Sequence, residues 1–413
     1  MSSPPQARNS TSGGSSWRFV PGTVWTLGFV SLSMDISSEM IHAYLPVFLV
    51  STLGASATLV GVIEGIAEGT ASITRVFSGA ISDAVGRRKR LAALGYGLSA
   101  LTKPLFALAL TPFEVLGGRF VDRMGKGIRG APRDALIADV TPPAVRGAAY
   151  GLRQALDTLG AFAGPLLGMG LLVLLGGNLR LLFALATIPG LLAVALLVLG
   201  VEESGRAGAS KSAPPRLRAR ELRAFARPFW GVVAVGAVFT LARFSEAFIV
   251  LRAQEVGLPL ALIPLVMIAM NLVYALVSTP AGALSDRIDR RLVLAGGLVA
   301  LITADLVLAL FASAAGVLVG AGLWGLHLGL SQGLLAALVA DAAPERLRGT
   351  AFGLFHLVSG VSLFAASLLA GALWQGLGSA ATFEAGALLS SLALIGLLWV
   401  IRRDPSAEGD APA

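Results

Sequence analysis

Residues 79–88 read GAISDAVGRR, and residues 282–291 read GALSDRIDRR. A second pair recurs at nearly the same offset: DVTPPAVRGAAYG at 139–151 and DAAPERLRGTAFG at 341–353. The offsets are 203 and 202 residues. Two separate segments repeating at one spacing make the chain two similar halves. Each repeated segment is short, charged and rich in turn residues, and each lies between long apolar runs. The halves therefore read as parallel bundles of membrane helices, with a binding site expected near midplane between them.

Composition agrees. The chain has 413 residues, 55% of them hydrophobic and 14% charged. Its mean hydropathy is +0.78. Soluble domains carry about 25% charged residues, and a soluble globule could not hide this much apolar surface. Disordered chains are poor in aliphatic residues, which excludes that class. There is no Cys, so disulfide scaffolds, thiolate metal sites and Cys nucleophiles are excluded.

Crossing ~30 Å of hydrocarbon takes ~20 helical residues. The apolar runs place spans at 22–50, 56–81, 91–111, 113–138, 148–175, 179–200, 229–253, 259–284, 291–312, 316–340, 350–374 and 380–401. The expected fold is an all-α polytopic membrane protein with 12 transmembrane helices in two six-helix bundles. Residues 17–200 form the first bundle and 229–403 the second. Residues 201–228, rich in Arg, Pro and Ser, form the linker. Residues 1–16 and 404–413 read as polar, disordered tails.

The net charge of +8 is a topology signal. With the N-terminus inside, alternate loops and tails hold 21 Lys and Arg residues, and the opposite loops hold only Arg180 and Arg252. That bias puts both termini and the 201–228 linker in the cytoplasm. Nucleic acid is not an expected partner, since the basic residues follow the loops instead of one face.

Ionisable residues inside the spans are costly and mark function or internal pairing. Span 1 carries Asp35, Glu39 and His42, spaced to share one helical face. Span 2 carries Glu64, Glu68 and Arg75, again on one face. Counted from the outer ends, His42, Glu64, Glu39, Glu68 and Asp35 fall in one layer of four carboxylates and an imidazole. Span 4 carries Arg119, Asp122, Arg123, Lys126, Arg129, Arg133 and Asp134. Span 5 adds Arg153 and Asp157, spaced for an i,i+4 pair. In the second half, Arg243 and Glu246 lie one turn apart, and His327 lies at mid-depth in span 10. Three readings stay open. Crowded carboxylates suit proton carriage. Asp35, Glu39, His42 and Glu64 offer O and N ligands for a divalent metal. Internal ion pairs, such as Glu68 with Lys103 or Arg75, are the third.

The loop formed by Gly79, Asp83, Gly86, Arg87, Arg88 and Lys89 resembles the signature loop of the major facilitator superfamily. Gly282, Asp286, Arg290 and Arg291 resemble its second-half copy, with Asp289 where the second Gly would stand. Gly160, Gly164, Pro165 and Gly168 resemble the glycine–proline motif of that superfamily's antiporters. The resemblance implies two bundles rocking about a central cavity, with Asp83, Arg87, Arg88, Asp286 and Arg290 in a cytoplasmic gate. It also implies exchange of a small solute or ion for protons, with the proton gradient as energy source and no other cofactor. The run DRMGKGIRGAPRDALIAD at 122–139 is similar to a nickel-resistance and iron–citrate exporter branch. That favours a metal ion or a metal–organic acid complex as cargo, with an organic anion or drug as the alternative. A transporter-like sensor that no longer cycles is a further reading, disfavoured by the gate loop in both halves. The expected setting is a bacterial-type cytoplasmic membrane, with lipid around a monomer. No phosphate-binding loop, His-Glu-x-x-His or Gly-x-Ser-x-Gly element is present, so an ATP-driven pump or hydrolase is not expected.

Overall fold

The computed structural model describes residues 20–85, 87–202, 225–285, 287–344 and 347–402. The tails at 1–16 and 404–413 lie outside these residues, as does most of the 201–228 linker. No strand occurs among the described residues. Twelve helical spans follow in order. In the first half they are α1 (Gly22–His42), α2 (Ala57–Val85), α3 (Arg88–Leu108), α4 (Pro112–Val140), α5 (Arg146–Leu174) and α6 (Leu179–Leu185, continuing as Thr187–Gly200). In the second they are α7 (Arg227–Ala242, resuming as Ala247–Glu255), α8 (Leu265–Ser285), α9 (Arg290–Leu310), α10 (Ala314–Ala342), α11 (Arg348–Leu377) and α12 (Ser379–Arg402). Nine spans among the described residues are long and apolar enough to cross a membrane. The other three, α1, α2 and α4, are those in which acids and bases concentrate.

Local chemistry sets the ends. Thr111 and Glu114 form a capping box at the start of α4, with Pro112 at its first position. The α5–α6 turn needs positive φ at Gly176 (60°) and Gly177 (83°), and Asn178 then caps α6 through Leu181 N at 3.1 Å. Sequence reading takes 22–50 and 229–253 as continuous helices, and both are interrupted. The α1 helix stops at Ala43–Tyr44 and resumes at Leu45–Val47, where Pro46 supplies no backbone N–H for a continuous ladder. The α7 helix breaks over Arg243–Glu246, with Arg243 extended (φ −110°, ψ 99°) and Ser245 Oγ accepting from Ala247 N at 3.3 Å. The two breaks sit at equivalent places in the repeat.

Packing differs between the two ends of the molecule. At the end carrying the α1 and α7 breaks, residues of both halves share one apolar core, including Tyr44, Phe48, Phe183, Phe248, Met270 and Trp324. At the arginine-rich end the cores are separate: Leu27, Met34, Tyr96 and Leu152 in one half, and Phe229, Phe239, Leu298 and Phe355 in the other. Tyr44 donates to the Ala261 carbonyl at 3.3 Å across the joined end. This state is closed at one end and parted at the other.

Helices α2 and α11 form the main seam between halves. Thr58 Oγ1 donates to Gly371 O at 3.1 Å, and Ala57 N to Gln375 Oε1 at 3.3 Å. Deeper along the seam, a Cβ on Gly61 would stand 2.2 Å from Ser367 O, and one on Gly360 would stand 2.9 Å from Ser72 Cβ. A Cβ on Gly353 would still meet Val76 at 3.1 Å. Without a hydrophobic driving force in lipid, such close backbone approach is what joins helices. Gly61→Val should therefore wedge the seam open. The expected result is a loss of roughly 1–3 kcal/mol from overpacking and slower transport, read by thermal melting and initial rates. Wild-type melting and rates would show that the seam has slack.

The signature loop is braced within each half. Arg88 pairs with Asp139, and Arg290 pairs with Asp341. Both pairs tie the start of one helix (α3 or α9) to the last turns of the next (α4 or α10), and they repeat at 202 residues. Each of these two pairs lies within one half. Gly86, Asp286, the Asp83 side chain and the surroundings of Gly79 lie outside the described residues, and Arg87 is exposed.

Candidate functional site

Between the halves lies a cavity of about 310 Å³. From the first half, Glu39, His42, Glu64, Glu68, Arg119, Arg123 and Lys126 line it. Arg243, Ser245, Glu246, Asn271 and Gln332 line it from the second. Two further compartments adjoin it. One of about 560 Å³ is lined by Asp35, Arg75, Arg129, Arg133, Asp134, Arg153 and Asp157. One of about 300 Å³ is lined by Arg75, Thr240, His327, Ser331 and His356. Lys126 lines all three.

Close helix packing sets the lining. The motif glycines of α5 lie against α1: a Cβ on Gly160 would stand 2.8 Å from Leu32 O, and one on Gly164 would stand 2.8 Å from Glu39 Cβ. Gly168 faces Tyr44 at 3.3 Å, and Pro165 is buried beside them. The antiporter-type motif thus joins two helices of one half and holds the acidic face of α1 toward the cavity. Gly95 and Gly125 do the same for α3 and α4, where a Cβ on either would come within 2.7 Å of the other's carbonyl oxygen.

The charges divide into paired and unpaired. Arg119 pairs with Glu64, and Arg123 with Glu68 at 3.4 Å. Both guanidinium groups also contact the His42 imidazole. Lys103 Nζ donates to Asp122 Oδ1 and to Ser38 Oγ, each at 3.0 Å, in a pair almost sealed from solvent. Arg153 pairs with Asp157 at 2.9 Å, and Arg133 with Asp134 at 3.1 Å. Among the described residues, Lys126 and Arg243 have no carboxylate within 4.0 Å, Glu246 has no cation, and Glu39 has only His42, at 3.9 Å. Arg243 and Glu246, one turn apart in sequence, do not pair.

The expected acid layer is thus partly assembled. Glu39, His42, Glu64 and Glu68 share the central cavity, while Asp35 faces the wider compartment beside Arg129 and Asp157. The expected metal group of Asp35, Glu39, His42 and Glu64 does not form. No three His, Asp or Glu side chains converge as a metal-holding group among the described residues. Glu64 is committed to Arg119, and the His42 ring faces two guanidinium groups, whose charge repels a divalent cation. His327 bridges helices instead, through Nδ1 to Gly297 O at 2.9 Å. Sequence reading passed over Asp305. It is fully buried, and neither carboxylate oxygen has a partner among the described residues. Its only signal was a lone acid in the apolar stretch TADLVL.

The family model described as Major Facilitator Superfamily matches residues 27–252 and 247–413. An MFS-type transporter of Methanocaldococcus jannaschii is 33% identical over 389 residues, 91% of this chain and 94% of that protein. The multidrug resistance protein MdtH of Photorhabdus laumondii is 29% identical over 144 residues, 35% of this chain and 36% of that protein. Among solved structures, the nucleoside transporter NupG superimposes with a TM-score of 0.76 at 12% identity, over 93% of this chain and 100% of that one. The human organic anion transporter MFSD10 does so at 0.64 and 17%, over 92% and 99%.

Proposed function

Because this chain belongs to the major facilitator superfamily, we propose that it exchanges a small charged organic solute for protons across a cytoplasmic membrane, exporting the solute. The observation that carries this reading is the cavity: it lies between the halves, is lined with charge, is closed at one end, and leads toward the arginine-rich end. By the charge bias that end is cytoplasmic, so the described state faces inward and both termini are cytoplasmic. Rocking of the halves would part the shared core around Tyr44 and Phe248 and join the two cores now separate. The MdtH similarity supports export. Unpaired acids support proton coupling, since Glu39 and Glu246 can take up a proton without breaking an ion pair. The protein works as a monomer surrounded by lipid, because each chain contains a whole cavity.

Reconstitution tests the reading. Proteoliposomes loaded with labelled organic anions, cations and zwitterions should show counterflow of at least one class. An imposed pH gradient should drive its accumulation. Absence of counterflow for every class would overturn the transport reading. Counterflow that ignores the pH gradient would remove proton coupling alone.

A further inference from the structure

Among the described residues, four charges in the central cavity lack a close ion-pair partner: Glu39 and Lys126 from the first half, Arg243 and Glu246 from the second. Their formal charges sum to zero, with one acid and one base from each half. They are within electrostatic reach of one another: Lys126 with Glu39, and Glu246 with both Arg243 and Lys126. Elsewhere in the cavities the rule is pairing, as at Glu64–Arg119, Glu68–Arg123 and Arg153–Asp157. Asp35, Arg75 and Arg129, which also lack an ion pair within 4.0 Å among the described residues, face the wider compartment toward the parted end. Charges in a confined, low-dielectric space cost free energy unless a partner or water meets them. Here the bound solute is positioned to be that partner.

We propose that the solute is amphoteric: a small zwitterion whose anionic group sits between Lys126 and Arg243 and whose cationic group meets Glu39 and Glu246. The proposal rests on the reading of this cavity as the transport site and deepens it by naming the substrate class. A purely anionic guest would leave two carboxylates facing it, and a purely cationic guest would leave two bases. The volume of about 310 Å³ lies at the low end of the ~300–1,000 Å³ of small-molecule sites, which suits a solute of amino-acid to dipeptide size. Asn271 and Gln332 add uncharged donors and acceptors on the second-half wall. Each end of such a guest is held by one residue from each half. Binding therefore ties the halves together at both ends of the guest, and a singly charged guest makes only one of the two ties.

The test uses purified full-length protein and a panel of probes: glycine, β-alanine, γ-aminobutyrate and alanyl-alanine. Each is supplied also as its N-acetyl derivative, which keeps only the anion, and as its amide, which keeps only the cation. Calorimetry should find at least one zwitterion that binds, with both of its derivatives about 10- to 100-fold weaker, as expected for losing one charge-assisted contact. In Lys126→Gln, the zwitterion should fall to within about threefold of its amide derivative. Lys126 is exposed to the cavity and has no ion pair among the described residues, so this variant keeps its fold, which a melting curve verifies. Equal binding of a one-charge derivative, or no binding by any of the four zwitterions, overturns the proposal. Counterflow of a singly charged solute would then leave the transport reading standing. Failure of counterflow for every solute removes that reading itself.

Discussion

Asp122→Asn should destabilise the protein by roughly 3–5 kcal/mol, the cost of breaking a buried ion pair from one side. Asp122 lies on α4 and is 4% exposed, and its partner Lys103 on α3 is 1% exposed. Their 3.0 Å contact is supported by Ser38. Without the carboxylate, Lys103 stays buried with cations as neighbours, since Arg123 and Arg129 are both within electrostatic reach. Ser38 Oγ and the new amide oxygen can still accept from its ammonium, but neither carries the compensating charge. Removing both charges is a different case: Lys103→Met with Asp122→Leu leaves nothing uncompensated, and it should recover most of the loss. Denaturant unfolding of the wild type, both single variants and the double variant measures this as a cycle. A single Asp122→Asn variant as stable as wild type would mean that water reaches Lys103.

Glu39→Gln should do the opposite: stop transport and leave folding intact. Among the described residues, Glu39 contacts only His42 as a possible counter-charge, so amide replacement strands no buried cation. The amide keeps the shape of the side chain against Gly164, so the α1–α5 packing survives. What is lost is one negative charge, and with it a place for a proton or for a solute cation. Competition between those two for the same carboxylate is the simplest physical basis for exchange. Proton-driven flux should fall about 100-fold, the low end of what a positioned proton-transfer group supplies, with counterflow reduced alongside it and the melting temperature unchanged. Glu64→Gln is the control, because Glu64 neutralises Arg119, which is 2% exposed. That variant should lose stability as well as flux. Normal proton-driven flux in Glu39→Gln would place coupling on another acid, with Glu246 the next to examine.

These contrasts mark what the sequence could and could not reveal. The twelve spans follow from apolar runs, because lipid demands long helices and punishes every other backbone. The 202-residue repeat also reaches into detail, since the Arg88–Asp139 and Arg290–Asp341 pairs recur at that spacing. The stripe of charge on α1, α2 and α4 was visible too. Partner choice was not. Spacing shows that Glu64, Glu68 and Arg119 are near one another in depth, but rotation of each helix decides which pairs form. That is why an expected ligand set at Asp35, Glu39, His42 and Glu64 became two guanidinium groups around an imidazole. The α7 break was also hidden: ARFSEA at 242–247 has neither Pro nor Gly. The resemblance of Gly160, Gly164 and Gly168 to an antiporter motif named a function, and the packing shows its physical part, a close α1–α5 contact.

The seam between α2 and α11 also decides how the halves can move. They touch along it from Thr58 and Gly371 at the joined end to Val76 and Gly353 near the arginine-rich end. On the other flank, α5 meets α8 and the short turn at Leu260–Leu262. Two rigid boards fastened along one edge open like a book, with this edge as the spine. Displacement then grows with distance from it and is greatest between α5 and α8. Probe pairs across α5 and α8 should change separation several-fold more during turnover than pairs across α2 and α11. The wider compartment, lined by Arg153 and Asp157 of α5 and by Tyr274 of α8, lies on that flank, so the same movement widens or narrows it most.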